Sequence, residues 1–406
     1  MEQKRLRVLI ASYNTALQGN KGLPQDLVEW VTPALSPTHD LPAEDQVPPD
    51  FVAVGFQELL PLQLGCEFSN MTCSVLSTRD ALIRQQLEKN LSIDSTEPQK
   101  YSLIAQHARV GIALLIYARE ETVAGRVRDV QIRGVGCGQL GMGNKGAIGV
   151  RFRLSAEDGI GEGEIFTFLT CHLAAHTYNL PQRIRDYQTI VSSLLFSPSA
   201  HSTGPSQIYA TTHLFVFGDL NYRLSQAPDP VQLLTAGGRE QLREVDQLWM
   251  SREAGRTLHG LQEGEFWRFR PTYKYIMGSL EQYHGKRTPS WTDRILFATH
   301  DTIPIKPLLY TSIQSYTTSD HKPIMALLLL PPETHDARPP LIDDRVPYPV
   351  NKNAWLRIAL GTTLDRTVGY AWCVLWLTGG GRTSVGLLAV LAILGVTLWW
   401  FGAFSR

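Results

Sequence analysis

The organisation of this chain is most visible in the stretch His213-Leu-Phe-Val-Phe-Gly-Asp-Leu-Asn-Tyr-Arg223. Residues 214–217 are all apolar, which is typical of a strand buried in a sheet. Gly218 ends this run, and Asp219 and Asn221 follow it with one residue between them. Because the core fixes a strand while the turn after it is exposed, such a position holds polar side chains rigidly beside a cleft. The alternative is an Asx turn, in which Asn221 bonds its own backbone.

An apolar run that ends in polar residues recurs along the chain, and helical patterns separate some of these runs. This alternation indicates a mixed α/β sandwich with one cleft. The patterns predict strands at 6–11, 51–56, 111–118, 147–154, 165–170 and 324–330, and helices at 80–91, 181–196 and 231–249.

The polar residues at the strand ends supply together what metal-assisted phosphoryl transfer needs. A glutamate is a hard oxygen ligand for Mg²⁺. An acid and carboxamides can orient water and phosphate, and two histidines can neutralise charge that develops on phosphoryl oxygens. Each residue alone has a structural interpretation, as a turn residue, a surface acid or a core histidine. The set comprises Asn14, Glu58, His172, Asp219, Asn221, Asp293, Asp320 and His321.

The composition limits the classes of protein that fit. The 406 residues, 43% of them hydrophobic, suffice for a globular fold with a sizeable core. Basic and acidic residues balance at 38 each, so no overall positive field favours nucleic acid, and any phosphate site must be local. The five cysteines show no paired metal spacing, which favours reduced thiols in a cytosolic domain. The glycine-rich run 134–146 leads into a strand and lacks the Ser or Thr of a Walker loop.

The C-terminal part of the sequence differs from the rest. A Pro-rich linker is predicted at 334–366, followed by a hydrophobic membrane-anchor region at 367–406. Residues 385–404 carry no charge and are about long enough for one transmembrane helix, which takes roughly 20 residues. The alternative is a buried core helix. The short apolar run 368–378 is expected to lie at the membrane interface or to form a hairpin with the anchor.

Three arginines before the anchor predict that the catalytic domain lies in the cytosol, and the endoplasmic reticulum is the expected organelle for such a tail. These are Arg357, Arg366 and Arg382.

Residues from about 6 to 330 resemble the inositol polyphosphate 5-phosphatases, a branch of the endonuclease/exonuclease/phosphatase superfamily. The resemblance is specific because many motifs occur in the same order. They are Ser12-Tyr-Asn14, Phe56-Gln-Glu58, Gly143-Asn-Lys-Gly146, His172-Leu-Ala-Ala-His176, Phe217-Gly-Asp-Leu-Asn-Tyr-Arg223, Pro271-Thr-Tyr-Lys-Tyr275, Pro289-Ser-Trp-Thr-Asp-Arg294 and Ser319-Asp-His-Lys-Pro323.

The resemblance implies that residues 1–333 form a catalytic domain with the four-layer α/β/β/α sandwich of that superfamily. It implies one Mg²⁺ held mainly by Glu58, with Asn14 and Asp320 nearby. Asp219 would orient and deprotonate the attacking water, although sequence leaves open whether Asp219 or Asp320 is the base. Water would attack in line, without a covalent phosphoenzyme. The phosphoryl group would be contacted by Asn221, His172 and His321, with His321 oriented by Asp293.

The resemblance also implies the residues that select the substrate. Tyr273, Lys274 and Arg287 would bind the phosphate next to the scissile one, and Asn144 and Lys145 complete the substrate-binding set. Thr292 stands where the family usually has Cys. Gly285 stands where the family tends to carry a Lys, with Lys286 displaced by one, which leaves one substrate-phosphate contact open.

The expected activity is therefore Mg²⁺-dependent hydrolysis of the 5-phosphate of phosphoinositides such as phosphatidylinositol 4,5-bisphosphate. The 3,4,5-trisphosphate lipid and soluble inositol polyphosphates remain as further substrates. A membrane anchor favours the lipid, since it raises the effective concentration of lipid at the enzyme. The alternatives are a nuclease of the same superfamily, which would need a basic groove, and an inactive membrane-tethered scaffold. No nucleic-acid partner is expected.

Overall fold

The computed structural model describes residues 5–16, 30–35, 41–42, 45–66, 70–91, 99–157, 159, 161, 163–198, 204–300, 303–333, 341, 348–380 and 382–404. The part of the predicted linker at 334–340 and 342–347 lies outside these residues.

The described residues form two mixed sheets of six strands each, in the orders β11-β12-β1-β2-β4-β3 and β5-β6-β7-β8-β10-β9. In each sheet one central pair of strands is parallel, β1 with β2 and β7 with β8. The strands are β1 (Arg5–Asn14), β2 (Phe51–Gln57), β3 (Tyr101–Arg109), β4 (Ile112–Arg119), β5 (Val127–Gly136), β6 (Gly146–Leu154), β7 (Glu164–His172), β8 (His213–Asp219), β9 (Gln262–Glu263), β10 (Asp293–Thr299), β11 (Lys306–Ser312) and β12 (Ile324–Pro332).

The two sheets pack face to face around an apolar core. Phe51 of the first sheet contacts Phe152 and Phe166 of the second, with ring centroids 5.1 and 5.3 Å apart. The sheets approach closely at Gly55, where a Cβ atom would lie 2.6 Å from Thr170 Oγ1. This closeness brings the ends of β2 and β7 together, which matters because Glu58 directly follows β2 and His172 ends β7.

Helices cover the outer face of each sheet, so the predicted α/β sandwich of two sheets is confirmed. Leu76, Ile83 and Leu87 of one helix pack on the first sheet, and Tyr187 and Ile190 of another pack on the second. The helices are α1 (Val31–Leu35), α2 (Leu62–Cys66), α3 (Asn70–Leu91), α4 (Leu180–Ser193), α5 (Pro230–Leu234), α6 (Ala236–Gln241), α7 (Gln247–Glu253), α8 (Ala354–Thr378) and α9 (Thr383–Phe404).

The prediction of a single helix at 231–249 is wrong, because capping residues divide this segment into shorter helices. Thr235 accepts a hydrogen bond from the Gly238 N–H and begins α6. Asp246 accepts one from the Trp249 N–H and begins α7. A side chain that caps a helix N-terminus competes with continuation of the preceding helix.

The C-terminal region forms two helices, α8 and α9, which pack against each other. One helix runs from Ala354 to Thr378, so the predicted boundary at 366 does not coincide with a break in the structure. The transmembrane helix predicted at about 385–404 is not supported. Among the described residues, no helix has both the length and the apolar character that a membrane crossing requires.

Candidate active site

Strand register places three candidate residues in one row across the second sheet. His172 ends β7 and is the register partner of Asp219, which ends β8. Asp219 is also the partner of Asp293, the first residue of β10. All three are buried. Their proximity follows from pairing of strands that are distant in sequence.

The first sheet contributes Asn14 and Glu58 from the ends of its parallel pair. Asn14, the last residue of β1, is the register partner of Gln57, the last residue of β2. Glu58 follows directly and adopts a positive φ of 50°. Its Oε1 atom lies 3.9 Å from His172 Nε2. The two sheets therefore deliver polar residues to one cleft.

Asp219 is the centre of the polar cluster. Its Oδ2 atom accepts hydrogen bonds from Asn14 Nδ2 at 2.9 Å and Asn221 Nδ2 at 3.1 Å. Its Oδ1 atom accepts one from the backbone N–H of Asn221 at 3.0 Å. Burial acts to raise the pKa of Asp219, but the hydrogen bond with His172 and the charge of His321 outweigh it and hold the pKa well below its usual range. Asp219 is therefore an ionised carboxylate at neutral pH.

His321 forms a buried ion pair with Asp293. His321 Nδ1 lies 3.0 Å from Asp293 Oδ2, and His321 Nε2 lies 4.0 Å from Asp219 Oδ2. Burial acts to lower the pKa of His321, but Asp293 and then Asp219 outweigh it and raise the pKa to about 10. Thr272 and Thr292 also donate hydrogen bonds to Asp293 Oδ2, at 2.7 and 2.9 Å. His321 is thus held as a cation by its contact with Asp293.

His172 lies between Lys145 and Asp219. Its Nε2 atom is 2.7 Å from Lys145 Nζ and 3.3 Å from Asp219 Oδ2. Burial, and then the charge of Lys145, lower the pKa of His172. Burial also lowers the pKa of Lys145, against the opposing effects of Glu58 and Asp219. Lys145 and Asn144 line the same cleft as Glu58 and His172, so the glycine-rich loop belongs to the site.

The predicted substrate-selecting residues lie on the other side of the site. The ring of Tyr273 is 4.6 Å from the ring of His321. Lys274 forms an ion pair with Asp320. Burial acts to raise the pKa of Asp320, but His321 and Lys274 outweigh it and lower the pKa. Arg287 is exposed, so the structure does not fix its side chain against a partner in the cleft.

Basic groups gather around the mouth of the cleft. Burial is the largest cause that lowers the pKa of His176, and the charges of Arg287, Arg223 and Lys145 lower it further. A local positive field of this kind suits a polyanionic ligand. The overall charge balance of the chain therefore does not exclude a local group of basic side chains near the cleft.

The cleft contains oxygen donors that suit a hard divalent cation. The Glu58 side chain is about one-third exposed, at 34%, and lines the cleft. Asn14 Oδ1 accepts the N–H of Ala16 at 3.1 Å, and a carbonyl oxygen has a second lone pair for an ion. This donor set fits Mg²⁺ or Ca²⁺.

A second group, Asp219, Asp293 and His321, has ligand atoms within 4.8 Å of one another and could also hold a metal ion. However, a protonated imidazole has no free lone pair for a metal. The raised pKa of His321 therefore favours the ion pair over ligation in this group.

Three residues that contact the site residues had no role assigned from the sequence. Arg223 bonds the Asn221 side chain and lies over the Tyr273 ring at 4.1 Å. Thr272 and Thr292 bond Asp293. All three lie inside the quoted motifs, so their position in the motifs was the available signal.

Comparison with known proteins identifies the family of this chain. The chain matches Endonuclease/Exonuclease/phosphatase family 2 over residues 11–327. It is 30% identical to synaptojanin-2 of Homo sapiens over 304 residues, which cover 72% of this chain and 19% of that protein. It is 30% identical to type II inositol 1,4,5-trisphosphate 5-phosphatase of Mus musculus over 329 residues, covering 80% of this chain and 30% of that protein. The chain thus spans less than a third of the length of either relative.

Solved structures show the same fold. The inositol polyphosphate 5-phosphatase domain of a synaptojanin, in complex with inositol (1,4)-bisphosphate and a calcium ion, superposes with a TM-score of 0.64 at 27% identity. The match covers 91% of this chain and 94% of that domain. Cimex nitrophorin superposes with a TM-score of 0.55 at 19% identity over 80% of this chain and 98% of that chain, a likeness of fold alone. On the extent of the family match, this chain belongs to Endonuclease/Exonuclease/phosphatase family 2.

Proposed function

We propose that this protein is an inositol polyphosphate 5-phosphatase that releases the 5-phosphate of phosphoinositides by in-line attack of water. The observation that carries the proposal is the cluster around Asp219, in which an ionised carboxylate lies between His172 and the cationic His321. A carboxylate that orients water beside groups that stabilise phosphoryl oxygens is what this reaction requires. The activity named for the mouse relative, a type II inositol 1,4,5-trisphosphate 5-phosphatase, supports the same class.

Asp219 orients the attacking water in this proposal. Its pKa lies well below the usual range, which makes it a weak general base at neutral pH, since an efficient base has a pKa near the working pH. Phosphoryl transfer through a loose transition state depends on positioning and electrostatics more than on proton abstraction. Asn14 and Asn221 fix the carboxylate by donating hydrogen bonds to it.

His321 and Lys145 stabilise the phosphoryl group. His321 keeps its proton because Asp293 bonds Nδ1, which leaves Nε2 as a donor toward the reacting group. Lys145 adds a second positive charge beside His172. A fixed positive charge in a buried site stabilises the transition state more than it would in water.

Glu58 would hold Mg²⁺, with Asn14 beside it. When bound, the ion would neutralise negative charge on the phosphoryl oxygens. The calcium ion in the related synaptojanin domain supports a divalent cation in this fold.

Tyr273, Lys274 and Arg287 would recognise the phosphate next to the scissile one. Lys274 is paired with Asp320 and would exchange part of that contact for the substrate. Inositol (1,4)-bisphosphate is bound in the related domain. It carries a 4-phosphate and no 5-phosphate, as the product of 5-phosphate release would. This supports a substrate that carries both phosphates.

The test is phosphate release from a panel of substrates with and without Mg²⁺. The panel contains inositol 1,4,5-trisphosphate, short-chain phosphatidylinositol 4,5-bisphosphate and a 4-phosphate lipid that lacks the 5-phosphate. We expect Mg²⁺-dependent release from the first two only, and its loss in Asp219→Asn. Nicking of plasmid DNA in Mg²⁺ without release from the panel would indicate a nuclease instead. No turnover of either kind would favour an inactive scaffold.

A further inference from the structure

Helix α8 packs on the catalytic domain beside the cleft, although sequence assigned it to a linker and a membrane anchor. It contacts α2, which begins four residues after Glu58, and the 3₁₀ turn Gln139–Gly141, which precedes Asn144 and Lys145. Leu62 of α2 lines the cleft together with Glu58 and Lys145. The helix therefore contacts the segment that follows Glu58 and the turn that precedes Asn144 and Lys145.

The contact with the turn is a close crossing of two backbones. A Cβ atom on Gly361 of α8 would lie 1.9 Å from the carbonyl oxygen of Gly141. A Cβ on Gly141, whose φ is +87°, would lie 2.7 Å from the carbonyl oxygen of Arg357. Only glycine permits this approach, so Gly141 of the glycine-rich run gains a packing role here.

Asp365 of α8 is the polar centre of this interface. Its side chain is fully buried, at 0% exposure. Both of its carboxylate oxygens accept the backbone N–H of Gly143, at 3.1 and 3.0 Å. Arg109 pairs with it at 3.5 Å and also donates to Gly141 O at 3.3 Å and Thr362 Oγ1 at 3.2 Å. Two charged groups are thus buried together to hold one short loop.

The loop that Asp365 holds leads directly into the site. Gly143 is two residues before Lys145, whose ammonium contacts His172 at 2.7 Å. Arg109 precedes Val110 and Gly111, which line the same cleft, and Gly111 O accepts the N–H of Leu59 beside Glu58. A displacement of the Asp365–Arg109 pair is therefore transmitted over a few bonds to the Lys145 and Glu58 walls.

We propose that Asp365 is a positioning residue, which holds the loop 141–145 and thereby places Lys145 for phosphoryl-group binding. The inference rests on the proposed function for its kinetic consequence, but not for the structural coupling. It makes α8 part of the catalytic apparatus. A misplacement of about 1 Å in such a group costs on the order of 100-fold in rate.

The first experiment measures the coupling without reference to activity. Hydrogen exchange at residues 139–146 is compared in the wild-type protein and in Asp365→Asn, which keeps the volume and removes the charge. We expect exchange at these residues to accelerate at least about tenfold, since a charged hydrogen bond of this kind is worth about 1.5–3 kcal/mol. Thr363→Ala, at an exposed position of the same helix, serves as the matched control and should leave exchange unchanged. Unchanged loop exchange in Asp365→Asn overturns the proposal.

The second experiment is a double-mutant cycle on kcat/KM with Lys145→Met. We expect Asp365→Asn alone to lower kcat/KM by about 10- to 100-fold. In the Lys145→Met background the same change should have an effect of less than about threefold, because the group that Asp365 positions is gone. Equal effects in both backgrounds would assign Asp365 a general structural role and overturn the proposal.

A milder variant keeps the proposal testable where Asp365→Asn does not fold. Thr362→Val removes the hydroxyl that accepts from Arg109 and nearly preserves shape. We expect faster exchange at 139–146 and a loss of about two- to threefold in kcat/KM, absent with Lys145→Met. Unchanged exchange at residues 139–146, together with equal losses of kcat/KM with and without Lys145→Met, overturns the proposal. A wild-type protein that releases no phosphate refutes the proposed function alone, because the exchange measurement still decides the coupling.

Discussion

The charge state of His321 can be tested by one substitution, Asp293→Asn. Asp293 Oδ2 accepts hydrogen bonds from Thr272, Thr292 and His321, whereas its buried Oδ1 has no hydrogen-bond partner among the described residues. An asparagine can therefore keep its oxygen at the Oδ2 position and turn its NH₂ toward the Oδ1 position. The substitution removes the charge while preserving the hydrogen bonds and the volume.

The magnitude follows from the pKa of His321. Asp293 is the main cause that raises this pKa to about 10, against the lowering effect of burial. A nearby opposite charge shifts a pKa by about 1–3 units, so the variant should have a pKa of about 7–9. With a value of about 8, roughly a tenth of the His321 side chains are protonated at pH 9, compared with about nine-tenths in the wild type. We expect an approximately tenfold loss of activity at pH 9 and little loss at pH 6.

The assay is kcat/KM for 5-phosphate release from pH 5 to pH 10, with the His321 imidazole followed by NMR titration. The exposed Asp129→Asn should reproduce the wild-type profile and serves as the control. An unchanged alkaline limb in Asp293→Asn, or a loss of equal size at every pH, would refute the assigned charge state. Since the folded-state pKa is raised, the ion pair should stabilise the wild-type fold fully below about pH 6.5 and progressively less as pH rises through about 10.

Three further outcomes follow from the structure. Glu58→Gln should lower turnover by about two orders of magnitude or more and weaken its Mg²⁺ dependence; near-normal turnover at saturating Mg²⁺ would remove Glu58 from the metal site. Arg287→Ala should raise the barrier for substrates with a 4-phosphate by roughly 1.5–3 kcal/mol, measured as kcat/KM against analogues without it; equal losses for both would indicate a general electrostatic role. Arg294→Met should cost about 3–5 kcal/mol of unfolding free energy by chemical denaturation, because it leaves the buried Asp246 and Glu263 without their shared partner; a loss below about 1 kcal/mol would contradict this.

The sequence alone determined the local features of the site. An apolar run fixes a strand by its burial, and the polar residue after it marks the strand end, so Asn14, Glu58, His172 and Asp219 could be chosen without coordinates. The motif order then indicated the endonuclease/exonuclease/phosphatase superfamily, and the family match over residues 11–327 confirms the assignment at that level. What these features share is that they depend on neighbours within a few residues along the chain.

Tertiary structure decided which of these groups touch and what charge each carries. Asn14 and Asp219 are 205 residues apart in sequence and 2.9 Å apart in space, a pairing set by strand register and sheet packing. Burial acts to lower the pKa of both His172 and His321; the charge of Lys145 adds to this effect at His172, whereas Asp293 outweighs it at His321. No local pattern encodes that difference, because a pKa depends on burial and charge summed over the surrounding space.

The C-terminal region shows the same division most clearly. Proline and charge content predicted a linker at 334–366, and hydropathy predicted a membrane anchor at 367–406. The structure instead buries Asp365 against Gly143, which is 222 residues away. From sequence alone, a carboxylate in an amphipathic or apolar segment is expected at the surface, because its buried partners are distant in the chain. Because buried charge is stable only when paired, the docking site of α8 exists only in the folded chain, where Arg109 and the Gly143 N–H meet it.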